Sequence, residues 1–163
     1  MDDMETLLRN LTHDLQTRNM TIATAESCTG GLVASFLTEL SGSSAWFERG
    51  FVTYSNLAKH EMLGVDMDII REHGAVSELV AEAMALGALQ HSASQVSLSV
   101  TGIAGPDGGS SMKPVGTVCF AWAIRDDEVR SESCHFANTN RQQTRMAACR
   151  HALQGMRAAL ALT

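Results

Sequence analysis

Thr21-Ile22-Ala23-Thr24-Ala25-Glu26-Ser27-Cys28-Thr29-Gly30-Gly31-Leu32-Val33 turns a short β-compatible run into a helix, and its reading decides the fold. Leu32, Val33, Phe36, Leu37 and Leu40 mark the apolar face of that helix. Upstream, Leu7, Leu8, Leu11 and Leu15 recur at helical spacing, so an amphipathic helix is expected over 4–18, ending at Asn19. Downstream, 46–54 reads as a strand, and short helices follow from Ser55 to Leu63 and from Asp66 to His73, each stopped by a glycine. Ser77 caps a longer helix to about Ala93. Val96-Ser97-Leu98-Ser99-Val100 alternates with period two and is a strand. A Gly-rich loop over 102–114 leads into an apolar, β-branched strand over 115–124. A turn at Asp126-Asp127 sends 128–136 back as a hairpin partner, and a last helix runs from Thr139, which has capping-box spacing to Gln142, to about Leu160.

Helices and strands thus interleave. The expected architecture is α/β in three layers: a mixed, partly parallel sheet with helices on both faces and right-handed crossovers. The 163 residues, 45% hydrophobic and 18% charged, suit one domain over 1–163 with a core of its own. A net charge of −6 argues against non-specific binding to nucleic acid, which needs phosphate-neutralising cations. It leaves a small anionic ligand open. The start Met1-Asp2-Asp3-Met4-Glu5 is acidic and unlike a signal peptide, and no apolar run reaches membrane-spanning length. Cys28, Cys119, Cys134 and Cys149 show neither C-x-x-C spacing nor a nearby histidine in a zinc pattern, so four reduced thiols in a cytoplasmic protein are expected.

Ligands of such sheets bind beyond the C-terminal ends of strands, where the loops 26–31 and 101–114 stand. Ser27, just before a helix, is either a nucleophile with main-chain donors at hand or an ordinary cap, as is Thr29. The G-x-S-x-G elbow does not fit, because Ala25 stands at its first glycine. Cys28 is intrinsically the better nucleophile, or inert packing. The six histidines lie on apparent surface elements and read as structural. Lysine is scarce, with Lys59 and Lys113 against ten arginines. A sequence that so favours arginine keeps lysine where arginine cannot serve, and only lysine can become a base at ordinary pH. Tyr54, the single tyrosine, ends a strand five residues before Lys59, so both can face one cleft; the alternative is a surface lysine and a half-buried tyrosine. Thr101-Gly102-Ile103-Ala104-Gly105-Pro106-Asp107-Gly108-Gly109 matches neither Walker A nor G-x-G-x-x-G, and is either a phosphate-approaching loop or a flexible connection. Arg141 and Arg145 stand i, i+4 at the start of the last helix, where cations are mildly unfavourable, so they suit an anion or pair with surface acids.

Taken together, Ala25-Glu26-Ser27-Cys28-Thr29-Gly30-Gly31, Tyr54-Ser55-Asn56 with Ala58-Lys59, His73-Gly74-Ala75-Val76-Ser77, and Thr101 to Gly109 followed by Lys113-Pro114-Val115-Gly116-Thr117 resemble the CinA C-terminal domain family, the nicotinamide-nucleotide amidases. The segments occur in the family's order over nearly the whole chain. The resemblance implies hydrolysis of the carboxamide of nicotinamide mononucleotide to nicotinic acid mononucleotide and ammonia, with no metal and no cofactor. It implies that Ser27 attacks the amide, that Lys59 takes its proton, and that Tyr54 orients Lys59 or shuttles a proton. Donors at the start of the 29–40 helix then hold the oxyanion. Substrate contacts are expected from Thr29, Gly30, Gly31, Thr101, Gly102, Gly105 and Arg141, the loop and the arginine holding the phosphate. The expected partner is this small molecule, not nucleic acid or membrane, and the family implies a homodimer. A non-catalytic nucleotide-binding paralogue is the alternative. One departure stands out: the family often has Gly-Asp before the arginine of the last helix, and here Thr139-Asn140 precede Arg141.

Overall fold

The alternation of large and small residues along the strands sets the layers. In the computed structural model, which describes residues 3–163, β1 (Ile22–Glu26), β2 (Phe47–Val52), β3 (Val96–Gly102), β4 (Thr117–Ile124) and β5 (Arg130–His135) form one sheet in the order β2-β1-β3-β4-β5. β1 is parallel to β2 and β3, whereas β3-β4 and β4-β5 are antiparallel. The acidic start at Met1 and Asp2 lies outside the described residues.

One face carries the bulk: Ile22, Leu98, Val100, Phe120 and Trp122 pack against α1 (Met4–Thr17), α2 (Leu32–Leu37) and α6 (Arg141–Ala161). The other face carries small residues, among them Ala23, Ala25, Ala121 and Ala123, and it receives α3 (Asn56–Leu63), α4 (Met67–His73) and α5 (Glu78–Gln90). The period-two reading of β3 holds, but its serines do not face water. Ser97 and Ser99 are fully buried and donate to the α5 carbonyls of Ala85 and Ala81, each at 2.6 Å. Small side chains let α5 approach closely enough for those bonds, which satisfy hydroxyls that burial would otherwise penalise. Gly87 allows the same closeness between helices, since an added Cβ would strike the Leu63 carbonyl of α3.

Two expected boundaries shift. α2 stops at Leu37 instead of Leu40, its C-cap being Thr38. At the start of α6 the cap is Asn140, not Thr139: Asn140 accepts from Gln143 N–H at 2.8 Å and Gln143 Oε1 accepts from Asn140 N–H at 3.0 Å, a reciprocal capping box. Thr139 instead donates to the Phe136 carbonyl at 2.9 Å. The chain leaves β1 toward β2 on one side and reaches β3 on the other, so a crevice opens past the C-terminal end of β1.

Candidate active site

That crevice is where Ser27 stands. A carboxylate shapes the turn that carries it. Glu26 is fully buried, and its two oxygens accept from the N–H groups of Val33 and Ala34 at 2.9 and 3.0 Å. The first turn of α2 is therefore capped from within, so of the donors expected at the start of the 29–40 helix those of Val33 and Ala34 are already taken. Nearer the serine, the main-chain N–H groups of Cys28 and Thr29 meet no main-chain carbonyl among the described residues, and the Cys28 N–H contacts its own sulfur. Gly30 and Gly31 take positive φ, +60° and +100°, in the left-handed region that glycine enters without strain. Arg145 braces the turn, donating to the carbonyls of Cys28 and Thr29, each at 3.1 Å. It is thus occupied by main chain, which corrects its pairing with Arg141 as an anion grip.

Lys59 reaches this turn from α3. Its Nζ lies 2.9 Å from Ser27 Oγ, 2.9 Å from the Thr53 carbonyl and 3.2 Å from the Tyr54 carbonyl. The residue is 1% exposed, and among the described residues no carboxylate pairs with it. Burial pushes its pKa down to about 8. Its three contacts suit the three protons of an ammonium, with Ser27 Oγ donating to the Tyr54 carbonyl at 3.3 Å; once a proton is lost, two remain for the carbonyls and the lone pair faces the serine hydroxyl. Cys28 goes the other way: burial pushes its thiol up to about 12, and it packs in the core as a protonated side chain.

The cleft around the pair has a volume of about 200 Å³. Ser27, Lys59, Thr101, Gly102, Tyr54 and Arg141 all line it, together with Asn56, Ala75, Val76 and Ala104, which sequence reasoning did not single out as site residues. Ala75 and Val76 belong to the His73–Ser77 run, whose polar residues read as a structural histidine and a helix cap, so its two apolar members drew no attention. A larger cleft of about 570 Å³ beside α1 and α6 is lined by Leu7, Asp14, Arg18 and Arg157, without a nucleophile and base in contact.

Several expected contacts take a different form. Tyr54 is 61% exposed and its hydroxyl receives a hydrogen bond from Arg141 Nη2 at 3.2 Å, so its carbonyl, not its phenol, meets Lys59. Gly105 does not line the cleft; its carbonyl accepts from Arg141 Nη1 at 2.8 Å. Thr29, Gly30 and Gly31 also stand outside the lining and act on the turn's conformation. Thr101 donates to the Ala75 carbonyl at 2.9 Å, joining the cleft's two walls. The Gly-rich loop is not a flexible connection. Ile103 N–H donates to the Thr117 carbonyl of β4 and its own carbonyl accepts from Gly116 N–H, and Lys113 Nζ donates to the His73 carbonyl at 2.6 Å.

The CinA C-terminal domain matches residues 4–160 of the chain. Over 140 residues the chain is 51% identical to the nicotinamide-nucleotide amidohydrolase PncC of Enterobacter agglomerans, covering 86% of this chain and 85% of that protein. Its namesake from Escherichia coli K12 is 52% identical over 141 residues, 86% of this chain and 84% of that one. Among solved structures, the competence/damage inducible protein CihA from Agrobacterium tumefaciens superposes with a TM-score of 0.94 at 45% identity, covering 98% of this chain and 96% of that one.

Proposed function

The chain belongs to the CinA C-terminal domain family, and from that membership we propose that it is a nicotinamide-nucleotide amidohydrolase, releasing ammonia from nicotinamide mononucleotide. The observation that carries the reading is the buried, unpaired Lys59 amine 2.9 Å from Ser27 Oγ. A lysine in that state is a general base for the hydroxyl it touches. Ser27 Oγ attacks the carboxamide carbon while its proton passes to Lys59 Nζ. The developing oxyanion is met by the N–H groups of Cys28 and Thr29, which directly follow the nucleophile and meet no main-chain carbonyl. As the C–N bond breaks, the Lys59 ammonium returns the proton to the leaving nitrogen and ammonia departs. Water then attacks the nicotinoyl ester of Ser27, again deprotonated by Lys59, and nicotinic acid mononucleotide leaves.

Substrate placement follows from the cleft's size. About 200 Å³ is below the roughly 300–1,000 Å³ usual for drug-sized ligands, so the cleft takes one end of the nucleotide. Ala75, Val76 and Ala104 give the pyridine ring an apolar wall. Arg141, fixed by Gly105 and Tyr54 at the rim, receives the phosphate, and Thr101 and Gly102 form the floor. Tyr54 holds the arginine with its phenol and the lysine with its carbonyl. Binding at the phosphate then orients the amide for attack.

The same reading extends to a homodimeric cytoplasmic enzyme that takes a small nucleotide and neither nucleic acid nor membrane. It is supported by the charge of −6, by four free cysteines, and by the absence among the described residues of a helix long and apolar enough to cross a membrane. Sedimentation equilibrium tests the dimer, and DNA affinity at physiological salt tests the partner. Ammonia release from nicotinamide mononucleotide by wild type, Ser27→Ala and Lys59→Ala tests the reaction. Folded variants retaining near wild-type rates overturn the dyad. Binding of the mononucleotide by wild type without product points to the non-catalytic paralogue.

A further inference from the structure

On the opposite side of the sheet's edge, three side chains from two elements converge. β5 contributes Glu132 and Cys134, two residues apart and so on one face of the strand, and α6 contributes His151. His151 Nε2 lies 3.4 Å from Cys134 Sγ and 3.1 Å from Glu132 Oε2, and Cys134 Sγ lies 3.9 Å from Glu132 Oε1. The imidazole is seated against aromatic rings: its centroid is 4.6 Å from Phe120, 6.0 Å from Trp122 and 6.3 Å from Phe136. That wall aims Nε2 at the other two donors.

We propose that Glu132, Cys134 and His151 bind a zinc ion, with solvent completing the coordination. Thiolate, imidazole and carboxylate are each zinc donors, and three protein ligands with solvent in the fourth place is the usual count of an open zinc site. The spacing agrees as well. Zinc bonds of about 2.3 Å to sulfur and about 2.0–2.2 Å to nitrogen or oxygen place tetrahedral ligand atoms roughly 3.3–3.6 Å apart. His151 Nε2 lies 3.1 and 3.4 Å from the carboxylate and the sulfur, the sulfur meets the carboxylate's other oxygen at 3.9 Å, and one ligand atom from each residue fits within 4.8 Å, so rotation of the exposed Glu132 carboxylate brings the three around one ion. Glu132 is 52% exposed at its side chain, which leaves a path for the ion and room for water as the fourth ligand. Binding displaces the Cys134 proton to solvent and ties the edge strand to α6. The site is separate from the Ser27–Lys59 cleft, and none of its three ligands lines it.

The test is a titration of the full, metal-free chain with zinc and, as a spectroscopic stand-in, cobalt. One zinc per chain is expected by calorimetry. Cobalt is expected to give a thiolate charge-transfer band and tetrahedral visible bands. Cys134→Ser should abolish the charge-transfer band, and His151→Gln and the exposed Glu132→Gln should each weaken zinc at least tenfold. Zinc should raise the unfolding temperature of wild type and not that of Cys134→Ser. Ammonia release by Glu132→Gln should match wild type, confirming its fold. No zinc uptake, or uptake unchanged in Cys134→Ser and Glu132→Gln, overturns the proposal.

Discussion

At the scale of single residues, the contact between Lys59 and Ser27 makes definite demands. In the proposed mechanism neutral lysine is the active form, and protonation removes it. kcat/KM should therefore rise with pH to a plateau, falling about tenfold per unit below the Lys59 pKa of about 8. Stopped measurements of ammonia across pH 5.5–9.5, a window of roughly two units either side of a near-neutral base, give the profile. A flat profile sinks the lysine base. Lys59→Arg keeps the positive charge but cannot lose its proton, so it should be as inactive as Lys59→Ala. Either variant, or Ser27→Ala, should lose roughly 10⁴- to 10⁶-fold in kcat, and the double variant little more, because the pair acts as a unit. The scarcity of lysine pointed to this residue before any coordinate did. No pattern in the sequence announces that Glu26 caps α2 from inside, because an acid before a serine has no periodic signature. Nor could Arg145 be separated from Arg141: one helix turn apart, they meet different walls.

At the scale of elements, two predictions follow from close approaches. Asn140→Ala removes a reciprocal cap and should cost about 1 kcal/mol of stability in urea unfolding, whereas Asn140→Asp restores the acid usual in the family and should match wild type or gain about 0.3–1 kcal/mol from the helix dipole. An equal loss in both would show that the cap is immaterial. The Thr139-Asn140 departure thus changes charge and keeps function as a cap. Gly87→Ala inserts a methyl against the Leu63 carbonyl and should destabilise by about 1–3 kcal/mol, despite alanine's better helix propensity. Since α3 carries Lys59, the same variant should also lower kcat. The strands and helices themselves were legible from periodicity and glycine stops. The burial of Ser97 and Ser99 was not, since alternation of serine with valine and leucine fits an exposed face equally well until α5 is laid across it.

At the scale of the molecule, the sheet's interior strands should open last. Amides of β1, β3 and β4 should exchange slowest and those of the edge strands β2 and β5 fastest, measured by native-state hydrogen exchange. Zinc at Glu132, Cys134 and His151 should slow β5 in particular. The mixed three-layer arrangement was readable from element order alone, and with it the strand ends where a ligand sits. The convergence of Cys134 with His151 was invisible, because sixteen intervening residues carry the chain through a loop and nearly three turns of helix before they meet.

The brace on the nucleophile's turn comes from α6, through Arg145, and the rim of the cleft from the same helix, through Arg141. On the ribosome, the segments bearing Ser27 and Lys59 emerge before this helix. Until it docks, the turn lacks its two carbonyl ties, and Cys149, Leu153 and Met156 are missing from the core beside it. A chain whose α6 has not yet docked therefore carries Ser27 and Lys59 without the frame that aligns them, and the proposed pair is held in register only once that helix packs.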